Sequence, residues 1–378
     1  MPTPLHIVCQ VLERIAPLSL AESWDNVGLL LGDEAQSVDR IMTCLTITPD
    51  VVEEGIAQQV DLIVSHHPVL FKPVQRLSTR TKDGRLLLPL IRNNIAVYSA
   101  HTAYDNAAQG INQQLAYALG LQHIRALTPA SGSKQYKIAV FVPDSHLDIV
   151  AEAMFAAGAG RIGNYSQCSF RTAGTGTFQG NEHSNPTIGQ AGQLESVSEV
   201  KLEVVCPQSH LAAVLAAMKA AHVYEEPAFD VYLLHDVAGS ALGSGRMGEF
   251  PVPISAEALG LLVASKLQCN ITLTGYRSHS AIRRVAVVCG AGGSMLPQAI
   301  QAGADAFLTG EARFHDELAA QAAGLALVVA GHFATERPGI EQLAVQLESH
   351  LPDCTIWASS AEQNPAVSVA CPAFQGSP

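Results

Sequence analysis

Apolar and polar positions alternate in two rhythms along the first 127 or so residues. LHIVCQVLERIAP, from Leu5, spaces its apolar positions for a helix. RIMTCLTI reads as a strand, and TPDVVEEGIAQQ as a helix opened by a Thr cap with Pro at its first position. DLIVS is a short buried strand, GRLLLPLIRNN a helix despite its Pro, and IAVYSA a strand. QGINQQLAYALG is a helix closed by Gly120. Strands alternating with helices predict a parallel or mixed sheet with helices packed on it.

The last 130 or so residues follow the same grammar. RRVAVVCGAGG is a strand running into a Gly turn, and SMLPQAIQAG a helix. ADAFLTG, FHDELAAQAAG and LALVVAGH alternate strand, helix, strand, and TERPGIEQLAVQLESHL is a helix after its early Pro. Beyond about Cys354 the pattern is uninformative.

Between these blocks the texture changes. KIAVFVP is a strand and SHLDIVAEAMFAAG a helix. A stretch rich in Gly, Ser, Thr and Asn follows from Gly158 to about Gly192. A low-complexity linker is one reading of it, but FRTAGTGTF alternates like a strand. VKLEVVCP and SHLAAVLAAMKAAH add a strand and a helix. This is the grammar of a ferredoxin-like α+β unit, and GSALGSGRMGEFP reads as the connection back to the host. The expected fold class is α/β. N- and C-terminal blocks (1–130 and 246–378) build a three-layer-type core of strands and helices, and an α+β domain is inserted at 134–236.

Composition narrows the function classes. Apolar residues make up 48% and charged residues 15% of 378, which argues against disorder. The net charge of −12 disfavours non-specific binding to nucleic acid or anionic membrane. The N-terminus has no basic start followed by a long apolar block, so no signal peptide is read there. No stretch approaches the roughly 18 apolar residues that span a bilayer. The expectation is a soluble cytoplasmic protein. Its eight cysteines are dispersed with no CxxC pair, so they are expected to be reduced and mostly buried.

The candidate chemistry lies where apolar strands end, which is where ligands bind in open α/β sheets. DLIVS ends in His66-His67-Pro68. Successive side chains point apart along a strand, so an adjacent pair suits two ions better than one. IAVYS leads to His101, Thr102 and Asp105. Asp105 is either a cap or turn residue or, beside the His pair, a hard oxygen ligand. LALVVAG ends in His332, with Glu336 four residues on. Glu336 is either a helix cap or a partner of His332 on one face. VAVVC ends in a turn from Gly290 to Ser294, which either holds an anion on backbone N–H groups or allows tight strand–helix packing. Glu311 and His315 follow a fifth strand, ADAFLTG. They either line the same mouth as supporting or acid/base groups or, for His315, simply start a surface helix. Together His66, His67, Asp105, His332 and Glu336 would suffice for two divalent cations. Mixed imidazole and carboxylate donors favour Zn, Mn, Fe or Co over Ca or Mg.

These residues sit in motifs that resemble the Nif-three-like family of dinuclear-metal-centre hexameric proteins, also labelled GTP cyclohydrolase I type 2 homologues. The motifs are WDNVGLLLG at Trp24–Gly32, SHHPVLF at Ser65–Phe71 and HTAYDNAAQGIN at His101–Asn112, with GADAFLTGE and LALVVAGHFATER in the C-terminal block. GAGRIGNYSQCSFRTAGTGTF and AAHVYEEPAFDVY are similar to the CutA-like (PII-like) domain inserted in longer bacterial members. The resemblance implies that the same five residues are the metal ligands, two ions per chain. It also implies a toroidal homohexamer with its metal sites facing inward. One departure is Thr46, where family members commonly carry Asp, which alters a hydrogen bond behind a ligand.

Two functions fit these features. One is a metal-dependent hydrolase of a nucleotide or another small cyclic or phosphorylated molecule, with Glu336 or His315 handling protons. The other is a metal-binding regulatory or scaffold protein without turnover. A nucleic-acid-binding ring is a third reading, which the charge disfavours.

Overall fold

The computed structural model describes residues 2–130, 135–162, 165–234, 241–275 and 281–366. Cys371, the boundary residues 134, 235 and 236, and two residues of the Gly-rich motif (163 and 164) lie outside them. From the N-terminus the elements are β1 (Thr3–Pro4), α1 (Leu5–Ile15), β2 (Gly28–Leu31), β3 (Ser37–Val38), β4 (Arg40–Cys44) and α2 (Pro49–Ala57). Next come β5 (Leu62–Ser65), α3 (Lys82–Arg92), β6 (Ala96–Ser99), α4 (His101–Asn106), α5 (Ile111–Ala118) and β7 (Gln122–Pro129). The middle of the chain carries β8 (Gln135–Pro143), α6 (Leu147–Ala156), β9 (Ser169–Gln179), β10 (Leu194–Pro207), α7 (Leu211–Ala221) and β11 (Phe229–Leu233). The remainder is β12 (Gly243–Ser255), α8 (Ala256–Leu267), β13 (Thr272–Thr274), β14 (Ala281–Val288), α9 (Leu296–Gln301), β15 (Ala306–Thr309), α10 (Phe314–Ala323), β16 (Ala326–Val329), α11 (His332–His350) and β17 (Thr355–Ala358).

The chain divides into two compact units, one of Met1–Pro129 with Ser240–Pro378, the other Ala130–Gly239. The first unit is mixed α/β with two principal sheets. One has the order β17-β4-β5-β6-β2, parallel except for β2. The other has the order β13-β16-β15-β14-β12-β7, with β14, β15 and β16 parallel. The central strands are apolar on both faces because both faces are covered. Leu62 and Val64 of β5 and Leu308 of β15 join one core with α1, α5, α8 and α11. Ile63, one residue out of step, packs instead with α2 and α3. Phe307 does the same on the second sheet, against Leu296 of α9 and Ala320 of α10.

Local signals act as the sequence predicts in several places. The Thr48 hydroxyl caps α2 by accepting from the Val51 N–H at 3.3 Å, with Pro49 as the first helical residue. Gly120 takes φ +77° just after α5. The seven described cysteines are all free. No helix among the described residues is long and apolar enough to cross a membrane.

Three readings need correction. The segment expected as a connection, GSALGSGRMGEFP, supplies most of β12, which pairs with β14 and β7 in the second sheet. Its glycines hide the alternation, and packing demands them: a Cβ at Gly248 would lie 2.9 Å from that of Leu121. Arg246 in this strand is fully buried and hydrogen-bonds Gln113 Oε1 (2.7 Å) and the carbonyls of Gly243 and Gly245 (2.7 Å each), with Ala107 also accepting. Asp105 is not a turn residue, because His101–Asn106 form a helix. And α11 begins at His332, ahead of the expected start at Thr335, with Pro338 inside it. Pro338 is the seventh residue of this helix and has no N–H to give the Ala334 carbonyl, so the helix forgoes one hydrogen bond there.

The second unit is a four-stranded antiparallel sheet of order β11-β8-β10-β9, with α6 and α7 on one face. Alternate residues Ile138, Val140 and Val142 of β8 and Val200, Leu202 and Val204 of β10 meet Val150, Met154, Val214 and Met218 of the helices.

Candidate metal centre

Five side chains expected at strand ends converge in the first unit. His66 and His67 follow β5, and their N–H groups donate to the carbonyls of Cys44 (2.9 Å) and Leu45 (2.8 Å). The ladder therefore runs on past the strand, and the two rings face different neighbours. After β6 the chain enters α4 through His101, whose φ of +20° is unusual for a residue with a side chain. The His101 N–H donates to the His66 carbonyl at 3.1 Å, fixing that turn, and Asp105 lies one helical turn later. His332 and Glu336 occupy the first turns of α11, four residues apart on one face. The helix N-terminus is the favourable end for a carboxylate.

The Glu336 carboxylate is the centre of the arrangement. Its Oε2 lies 3.1 Å from His67 Nε2 and 3.0 Å from His332 Nε2. Its Oε1 lies 3.9 Å from His66 Nε2, which is 3.6 Å from Asp105 Oδ1. One carboxylate oxygen thus faces His67 and His332, while the other faces His66, which in turn faces Asp105. Gly290 makes room for this. It sits at φ +61°, and a Cβ there would collide with Glu336 Oε1. Its N–H donates to Thr335 Oγ1 at 3.0 Å, and its carbonyl accepts from the Glu311 N–H at 2.9 Å. Of the two readings of this glycine turn, close packing is the one these contacts support.

The donors fit a cation. His66 is 1% exposed, and neither of its ring nitrogens has a hydrogen-bond partner. Asp105 Oδ1 is likewise buried without one. Such orphans are costly unless something electropositive satisfies them. His332 Nε2 and His67 Nε2 approach to 3.4 Å, and both reach the same Glu336 oxygen. Burial pushes His66 down to about 3, so its ring is neutral. Burial also pushes Asp105 well above the usual carboxylate range, reinforced by the charges of Glu336 and Asp25. Glu336 responds oppositely. Burial works against its charge, but His332 and His67 beside it hold the carboxyl well below its ordinary value. His332 is raised to about 9, chiefly by its contact with Glu336, with Glu311 adding to it.

Three more groups complete the site. His101 was visible after its strand but was not counted among the ligands; its donor atom groups with those of His66 and His67 within 4.8 Å. Its Nδ1 is held at 2.7 Å by Asp25, whose carboxylate also accepts from the Thr102 N–H at 3.1 Å. The second group, Glu311, was expected near this mouth and holds His332 Nδ1 at 2.7 Å. Thr46 Oγ1 stands 2.7 Å from His67 Nδ1. Three rings are thus oriented from behind, by Asp25, Glu311 and Thr46, as metal-binding imidazoles commonly are. His315 does not join them. It is exposed on α10, its ring 5.9 Å from that of Phe314. Exposed Trp24 and Phe71 flank the cluster, with ring centroids 6.0 and 6.4 Å from that of His101.

Comparison with known proteins agrees with the motifs. The chain is 37% identical over 361 residues to a protein of Halalkalibacterium halodurans named GTP cyclohydrolase 1 type 2 homolog, covering 95% of this chain and 97% of that one. It is 40% identical over 360 residues to a Mycobacterium bovis protein of the same name, covering 93% of each. Among solved structures, a Bacillus cereus protein related to NIF3 superposes with a TM-score of 0.74 at 34% identity, over 97% of this chain and 99% of the other. A Staphylococcus aureus protein, SA1388, superposes at 0.79 with 28% identity over the same shares. The sequence profile described as Duf34/NIF3 (NGG1p interacting factor 3) matches residues 4–365, a span that holds all five converging side chains and their supports. By that whole-length match the chain belongs to the Duf34/NIF3 family.

Proposed function

We propose that the chain binds two divalent ions through His66, His67, Asp105, His332 and Glu336 and acts as a metal-dependent hydrolase of a nucleotide or another small phosphorylated or cyclic substrate. The observation that carries this is Glu336. Its two oxygens face separate donor sets, His67 with His332 and His66 with Asp105. A carboxylate so placed can bridge two cations and hold them against their mutual repulsion. A pair of Zn, Mn, Fe or Co ions would supply Lewis acidity at a substrate oxygen and acidify water. The chain's own residues do the rest. Glu336 would hold the pair, since its carboxylate faces both donor sets. Thr46, Asp25 and Glu311 keep three imidazoles turned inward. Trp24, 60% exposed, and Phe71 beside the cluster offer apolar faces to a ring-bearing substrate. His315, exposed on α10, is the proposed group for moving a proton at the mouth.

The names of the relatives, GTP cyclohydrolase 1 type 2 homolog, support a nucleotide as the first substrate class to try. The family resemblance carries two further parts of the proposal, a homohexamer and a CutA-like insert at 134–236. The strand order 4-1-3-2 of the second unit, counted from its own first strand, supports a ferredoxin-like reading of that insert. The alternative is a metal-binding scaffold without turnover. A screen of the metal-loaded protein against nucleotides and phosphoesters separates the two. Hydrolysis that stops with chelator and returns with metal supports the enzyme. Metal binding at full occupancy with no turnover on the panel supports the scaffold.

A further inference from the structure

The second unit has a cavity of its own, about 780 Å³, on the sheet face opposite its helices. β9 forms one wall, and the segment between β9 and β10 forms the roof. The roof is tied down: the Thr187 hydroxyl donates to the Val223 carbonyl at 2.9 Å, and the Asn185 N–H to Glu225 Oε2 at 3.2 Å. His222 braces the facing loop, its Nε2 3.0 Å from the Phe141 carbonyl and its Nδ1 accepting from the Tyr224 N–H at 3.0 Å.

A buried charge looks into this space. Glu199 lines the cavity and is 7% exposed, and among the described residues no cation lies within ion-pair distance of it. Lys201, next along that face, is paired instead with Glu203 at 3.5 Å. The Tyr224 hydroxyl is buried beside it, and burial, together with its contact to the Glu199 carboxylate, pushes that phenol above its ordinary range. A buried carboxylate with no cation beside it is costly unless it has further donors to meet. The opposite wall is shaped around it. A Cβ at Gly176 would collide with the Glu199 carboxylate, so only glycine lets the carboxylate lie there. Gly174, directly across the ladder from Glu199, has open space where its Cβ would be. The wall over these two glycines is flat. Phe178 and Tyr224 stand at its margin, with ring centroids 5.8 Å apart. Glu225 and Glu226 leave carboxylates in excess over Lys201 around the rim.

We propose that this cavity binds a small planar heterocycle whose edge presents two adjacent N–H donors, as the aminopyrimidine edge of guanine does, with the Glu199 carboxylate accepting both. A carboxylate has two acceptors spaced to meet such an edge, and none of the other described charges competes for it. The flat glycine wall receives the face of the ring, and the aromatic pair meets its border. This site is separate from the metal centre and does not rest on the hydrolase reading.

Calorimetric titration of the full-length protein with guanosine and with inosine, which lacks the 2-amino group, tests the proposal. Saturable binding at one site per chain is expected for guanosine, with inosine at least tenfold weaker. Glu199→Gln should weaken guanosine at least tenfold. Gly174→Leu, which fills the open space without a collision, should abolish binding. Glu336→Gln, at the metal centre, should leave guanosine binding unchanged. The proposal is overturned by absent guanosine binding, by equal affinity for inosine, or by binding that survives Gly174→Leu. Loss in Glu336→Gln alone would move the ligand to the metal centre and overturn it as well.

Discussion

Thr46 Oγ1 stands 2.7 Å from His67 Nδ1, and this contact fixes which nitrogen of His67 faces the cluster. With the proton on Nδ1 and donated to the hydroxyl, the Nε2 lone pair is left pointing at Glu336 and His332. Asp25 and Glu311 do the same for His101 and His332, but with a charge. A carboxylate raises the basicity of the ring it holds; a hydroxyl only orients it. Thr46 therefore supplies the geometry without the charge.

Thr46→Val keeps the shape and removes the acceptor. Metal affinity at the His67 and His332 end should fall by about tenfold, the lower range for a lost supporting hydrogen bond. Competition with a calibrated chelator reads this directly. Unchanged affinity would mean that packing alone orients His67.

Gly290→Ala should damage the centre without unfolding the chain. The residue holds φ +61°, which costs a side chain about 1–2 kcal/mol, and the added methyl displaces Glu336 Oε1. Metal retained after desalting should drop while circular dichroism is preserved. Full retention would show that Glu336 can shift and still bind.

The proposed ligands were legible because each lies within a few residues of a strand end. His66, His67, Asp105, His332 and Glu336 could be picked out strand by strand, without knowing which strands are neighbours. His101 and Asp25 were not legible as a pair, because 76 residues separate them and only the fold joins them. β12 was misread because Gly243, Gly245 and Gly248 break its alternation, and those glycines answer to neighbours such as Leu121 and Val288. β17 is four residues at a sheet edge, too short to announce itself, and takes its register from β4.

Arg246 shows what that misread strand contributes. Its guanidinium is buried and serves carbonyls of Ala107, Gly243 and Gly245 as well as Gln113. Arg246→Met leaves those acceptors without a donor. Urea denaturation should report a loss on the order of 3–5 kcal/mol, as for other broken buried polar networks. A loss under about 1 kcal/mol, typical of a surface change, would contradict the structural role assigned to it.

Glu54 makes stability depend on acid. Its carboxylate accepts from the Ser359 hydroxyl, from the Ser360 N–H (2.9 Å) and hydroxyl (2.7 Å), and from the Ala361 N–H (3.2 Å). Burial opposes its charge, but these bonds prevail and hold it below its ordinary value of 4.5. A lowered folded pKa means stability that is present above pH 4.5 and is lost as pH falls through the folded value. Melting temperature should therefore fall more steeply below pH 4.5 in the wild type than in Glu54→Gln. Parallel curves would remove Glu54 from the acid response.

Metal stoichiometry tests the account most directly. The protein is saturated with Zn or Mn, desalted and assayed for metal per chain, alongside Glu336→Gln. Two ions are predicted for the wild type, and loss of both in the variant, because one carboxylate faces both donor sets. One ion or none in the wild type, or two retained at wild-type affinity in Glu336→Gln, would contradict the bridging role on which the proposed function stands.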